Sequence, residues 1–225
     1  MRLWKRKAVP LQEENTSYDI YRETRDEVWR VLAENRMDCL PVDVELLCKK
    51  EKIDVYSYSN AQVLIDSLHL QKYCSSGESL VLVPDGRRII LFDDALPVNM
   101  HRFLIAAGFG HFIMGHIGAH QKDGIVPRFT DEENLQAGIF AGRLLAPLSV
   151  LWGMGVSSAR EIADVCRVPT KTAEKRYARL CEIDERNLER GTKTGQGVLF
   201  LSGYERSAYR CFSPFIEDYR KNHNK

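Results

Sequence analysis

Neither sign of charge dominates this 225-residue chain: 32 Lys and Arg face 31 Asp and Glu, a formal net charge of +1. A whole-molecule field steering it onto nucleic acid or anionic lipid is thereby excluded, although a local basic face is not. Cysteine pairs are missing as well. Cys39, Cys48, Cys74, Cys166, Cys181 and Cys211 are dispersed without a C-x-x-C spacing, which argues against a zinc ribbon or a disulfide framework and for free thiols in a cytoplasmic protein. The opening MRLWKRKAVP carries charges, but no apolar run of a secretory signal follows it. Internal repeats and low-complexity segments are absent. The uncharged stretch 103–119, FLIAAGFGHFIMGHIGA, sits at the lower edge of the roughly 17–25 residues a spanning helix needs. Its two histidines and four glycines fit burial in protein rather than lipid, so no membrane association is expected. What the chain does have is 44% hydrophobic and 28% charged residues, enough for a folded core and inconsistent with disorder as the organising feature.

Periodicity predicts an α+β fold: helices, a small sheet, then helices. Over 18–36, Ile20, Val28, Val31 and Leu32 line one helical face. A short helix with Val42, Leu46 and Leu47 inward ends in the charged run 49–52. Ile53 to Tyr58 alternates as a strand does, and 61–73 is read as helical. Ser79–Val83 and Arg87–Phe92 flank Pro84-Asp85-Gly86, a hairpin signal because Gly accepts the positive φ such turns need. An apolar helix is expected from about Met100 to Ala119. Thr130 with Glu133, and Ser158 with Glu161, are capping boxes opening helices to Leu145 and to about Cys166. Val168-Pro169-Thr170 then turns into a longer helix reaching about Leu188, and 191–197 is a glycine-rich break before the strand-like run 198–201.

The order of these pieces over residues 26–190 resembles the ImmA/IrrE family of zinc metallopeptidase-fold proteins. The resemblance is carried by Leu40-Pro41-Val42-Asp43, Lys49-Lys50 and Ile53-Asp54-Val55, then by Arg87-Arg88-Ile89-Ile90, Asp93-Asp94 and Arg102-Phe103. Leu144-Leu145-Ala146-Pro147 and the segment 157–180 continue it. It implies a zincin-like fold with a small antiparallel or mixed sheet, a buried active-site-type helix and a helix-turn-helix-like C-terminal segment. Residues 1–190 would form that domain, with 157–190 as the helix-turn-helix-like subdomain and 191–225 as a tail of unassigned role. Tyr209, Phe212 and Phe215 in the tail could dock on the body or on a partner.

The family's active helix reads RFxxAHELGHxxxGH, and the same frame here runs from Arg102 to His116. An HExxH helix places two histidines at i and i+4 on one face to hold Zn²⁺, with the Glu as general base. In this chain Ala107 stands at the first His, Gly108 at the Glu, and His111 alone is kept. The family's third ligand, a Glu on the next helix, aligns with Gln136, whose amide is a far poorer zinc ligand. The resemblance therefore implies a degenerate site, no bound cofactor, and a binding or regulatory role in a phage, mobile-element or stress setting. The implied partner is a helix-turn-helix repressor of the kind active relatives inactivate.

Two alternatives stay open. One is a metallopeptidase whose zinc is held differently, or whose site was deliberately altered, with His111, His116 and His120 as candidates. On an ideal helix five residues rotate about 140° off the starting face, so His111 is not expected to share a face with His116. The expected roles are a buried, hydrogen-bonded His111, a His116 bonded near the helix end, and a Gln136 reaching toward His111. The other alternative is a DNA-binding regulator using Lys171, Lys175 and Arg179, which share a face at i, i+4 spacing. Residues 164–190 hold six acidic against seven basic side chains, a poor phosphate footprint, so DNA is an unfavoured partner.

Overall fold

The computed structural model describes residues 11–74, 78–119, 128–189 and 203–223. The fold is α+β, as expected. Helix α1 (Leu11–Glu34) begins earlier than the periodicity suggests and stops two residues short of it. Arg36 takes φ 50° there, and the Met37 N–H reaches back to the Leu32 carbonyl at 3.0 Å, closing the last turn. Helix α2 (Val44–Lys50) starts where the Asp43 carboxylate accepts from the Leu46 N–H at 2.9 Å.

Strand β1 (Ile53–Ser57), helix α3 (Gln62–Ser67), strand β2 (Ser79–Leu82) and strand β3 (Arg88–Phe92) follow. The 61–73 segment is thus one short helix and a separate 3₁₀ turn at Gln71–Tyr73, rather than one continuous helix. The hairpin is present: Asp85 and Gly86 take φ 49° and 79°, and β2 runs antiparallel to β3 with Val81 opposite Ile90. Strand β1 lies parallel on the other side of β3, with Val55 opposite Ile90, so the sheet is mixed with order β1-β3-β2. Strand alternation separates its faces. Leu80, Leu82, Ile89 and Leu91 form a small apolar layer with Ala61, Ile65 and Leu70, while Ile53 and Ile90 belong to the main core.

That main core is built around helix α4 (Val98–Ile113) and helix α6 (Asp131–Leu145). Phe109, Phe140 and Leu144 are fully buried between them and α1, which contributes Leu32. Two glycines let α4 approach its neighbours. A Cβ at Gly108 would stand 3.0 Å from Ile90 Cγ2, and one at Gly110 would stand 3.0 Å from the Phe140 ring. The helix expected to reach Ala119 ends at Ile113. Gly115, at φ 77°, turns the chain into the one-turn helix α5 (His116–Ala119).

Helix α6 opens on the full capping box of Thr130 and Glu133 and is followed across Pro147 by helix α7 (Leu148–Met154). The span Asp131–Met154 is long and apolar enough to cross a membrane by length and composition alone, but two-thirds of its apolar window, 67%, is buried inside the fold. Helix α8 (Ala159–Cys166), an Arg167 at φ 51° and helix α9 (Thr170–Glu189) make the helix-turn-helix-like pair. The second capping box is only half formed. Ser158 Oγ accepts from the Glu161 N–H, but the Glu161 carboxylate accepts from the N–H and hydroxyl of Ser157 instead. A hydroxyl from helix α10 (Gly203–His223) draws it there: Tyr219 Oη donates to Glu161 Oε1 at 2.6 Å.

Helix α10 is the described part of the tail, and it docks on the body. Phe212 and Ala208 are fully buried, and Tyr209 and Ile216 close over Gly153 of α7. The break at 191–197 and the strand-like run 198–201 lie outside the described residues.

Candidate functional site

Helix α4 presents its C-terminal turn to α6, and α5 folds back over the junction. This brings together three side chains from three elements: His111, His116 and Gln136, all buried. His111 Nδ1 and His116 Nδ1 stand 3.0 Å apart, and His116 Nε2 is 2.9 Å from Gln136 Oε1. The expectation that His111 and His116 point to different faces is therefore corrected. The 140° offset holds only for an uninterrupted helix, and Gly115 interrupts this one between the two histidines. Phe129, which the sequence reading did not single out, stacks on the His111 ring with centroids 3.7 Å apart and planes 21° from parallel. Its position just ahead of the Thr130 cap is the local signal that could have marked it as covering the start of α6.

Gln136 Oε1 accepts, so His116 Nε2 carries a hydrogen and donates. Between His116 Nδ1 and His111 Nδ1 one ring donates and the other accepts, the tautomers setting which. Both ring nitrogens of His116 and the facing nitrogen of His111 are committed within this chain of bonds.

Zinc sites supply three protein ligands with an open position, or four when closed. Ala107, where the resemblance would put the first ligand, ends in a methyl group. Beside Gly108, where it would put the general base, the Ile90 side chain fills the space. The remaining donors are two imidazoles turned toward one another and a neutral amide. Among the described residues no group of three His, Cys, Asp or Glu side chains is gathered for a metal. The described residues do not fit a catalytic zinc. His120 lies outside the described residues.

The other candidates are spread apart. Lys171, Lys175 and Arg179 are exposed on α9, an element that contributes nothing to the His111–His116–Gln136 chain of bonds, and Arg179 is tied to Glu182. Arg102, which opens the family-like helix, is structural: its Nη2 donates to the Val42 carbonyl at 2.7 Å, and burial draws its pKa down. Burial also pushes the Cys48 and Cys166 thiols up to about 12, which leaves them protonated and unreactive at neutral pH.

No curated protein matches the chain. The family model described as the IrrE N-terminal-like domain matches residues 48–177, from the end of α2 to the middle of α9. That span contains the mixed sheet, the α4–α6 core, the buried His111–His116–Gln136 chain and the start of the helix-turn-helix-like pair, and it covers more than half of the sequence: the chain belongs to the IrrE N-terminal-like, metallopeptidase-like family.

Proposed function

We propose that this chain is a catalytically silent member of its family that acts as a binding or regulatory module, with a helix-turn-helix regulator as its protein partner. The observation that carries the reading is the use of the site's remaining donors. His111, His116 and Gln136 hydrogen-bond one another, with Phe129 stacked over His111, where active relatives would hold metal, water and substrate. General-base catalysis is typically worth 10²–10⁴-fold, and position 108 offers no carboxylate and no room for one beside Ile90. The scaffold around the site is nevertheless fully packed, which supports a retained surface rather than a retained reaction.

The test is elemental analysis of the purified chain after dialysis, followed by incubation with a purified helix-turn-helix repressor. The expected result is zinc well below one per chain, with the repressor co-eluting intact. About one tightly held zinc per chain, or metal-dependent cleavage of the repressor abolished by chelator, overturns the proposal in favour of a rewired metallopeptidase.

A further inference from the structure

A second group of charged side chains gathers at the C-terminal end of α6, where a side chain of α1 and one of α9 approach it. Arg143, in the last turn of α6, places its guanidinium 5.8 Å from the Tyr21 ring of α1. Arg176 of α9 donates from Nε to the Ala146 carbonyl that caps α6, at 2.8 Å. Thr172 of α9 lies within 3.5 Å of where a Gly142 Cβ would be, so the two helices touch at this corner. Arg25 and Arg179 stand at the rim, and each already has a carboxylate, Asp26 and Glu182. Arg143 and Arg176 have none among the described residues.

Both are half-buried. Burial, and then the surrounding guanidinium groups, push both arginines below their usual range: Arg25 and Arg179 act on Arg143, and Arg143 and Arg179 act on Arg176. A guanidinium does not give up its proton at neutral pH, so both stay charged: burial is the larger cost and like charge the next, with Asp26 offsetting part of it at Arg143. The C-terminus of α6 offsets only about half an elementary charge. Arginine left in this state, with most of its fork of donors unspent, is suited to an oxyanion.

We infer that Arg143 and Arg176 form a binding site for a phosphate group carried by a small molecule. Charge selects phosphate over carboxylate. Four arginines against Asp26 and Glu182 leave a local excess of two positive charges, which a phosphate of about −1.5 to −2 at neutral pH balances and a monocarboxylate does not. The tyrosine face of Tyr21, 44% exposed at the rim, offers a flat surface for the rest of such a ligand.

Calorimetric titration of the full chain with inorganic phosphate, pyrophosphate and acetate at fixed ionic strength tests this. Saturable binding of phosphate, tighter for pyrophosphate and absent for acetate, is expected within about 10 mM, with a matching rise in melting temperature. Arg143→Gln should weaken phosphate at least about tenfold and Arg143→Lys less, because lysine keeps the charge and loses the fork. Arg160→Gln, an exposed change on α8, should leave binding unchanged. If Arg176→Gln fails to fold by circular dichroism, Arg143→Gln carries the test alone. No saturable binding, or equal loss in Arg160→Gln, overturns the inference. So does displacement of phosphate by duplex DNA with steep salt dependence through Arg143, which would make the cluster a nucleic-acid backbone contact. None of these outcomes depends on zinc content or repressor binding.

Discussion

At residue scale, the site turns on two small residues and one amide. Gly108, where the resemblance would put the base, has no Cβ, and that is what lets Ile90 of β3 reach the helix. Gly108→Glu is therefore expected to destabilise the fold by about 1–3 kcal/mol through overpacking, measured by denaturant unfolding, with Ile90→Ala in the same chain recovering part of the loss. Ala107→His with Gln136→Glu leaves position 108 untouched and, together with His111, restores two imidazoles at i, i+4 and a carboxylate from α6. That double variant is expected to take up about one zinc per chain where the parent does not; failure to do so in a folded protein would show that α6 does not face α4 as described. Gln136→Ala removes the acceptor of a buried N–H. It should cost about 1–3 kcal/mol, and the His116 ring signals should lose their exchange protection. The expectation that Ala107, Gly108 and Gln136 stand at the site positions came from the spacing around Arg102-Phe103 and Pro147. The His111–His116 contact was not, because one glycine dihedral decides it.

At the scale of elements, α8 and α10 are joined by a bond that no sequence period announces. Burial alone would raise the Glu161 carboxyl, but the Ser157 N–H, the Tyr219 hydroxyl and the Ser157 hydroxyl outweigh it and hold the group below its usual value. A carboxylate lowered on folding contributes stability that is full above the unfolded glutamate value of about 4.3 and is lost as pH falls through the folded one. Docking of α10 should accordingly loosen in that acidic window, seen as faster amide exchange over 203–223. Tyr219→Phe should cost about 0.5–1.5 kcal/mol at neutral pH and less once Glu161 is protonated. The indole of Trp152 adds a second tie, donating to Asp184 at 3.2 Å to join α7 with α9. Thr130 and Ser158 were readable as helix starts because a cap is local chemistry. The partner that diverted the Glu161 carboxylate, Tyr219, is 58 residues away and was not.

At the scale of the whole molecule, the family match ends at residue 177, yet the core does not. Phe212, fully buried against α1 and α7, makes the tail a structural part of the body. Phe212→Ala should lower stability by about 3–5 kcal/mol, read as a drop in denaturation midpoint without loss of cooperativity. A result below about 1 kcal/mol would mean that α10 is an appendage whose docking the core does not need.

The sequence by itself determined the class of fold, the hairpin, the helix starts and the family. Each of these is set by neighbours within a few residues: alternation, caps, turn dihedrals and the spacing of a helix. The tertiary structure decided the order β1-β3-β2, the docking of α10, the closure of His116 onto His111 and Gln136, and the seating of Arg176 on the carbonyl end of α6. Those four depend on which surfaces bury one another and on a single turn at Gly115, and pairings between residues tens of positions apart leave no local period to read.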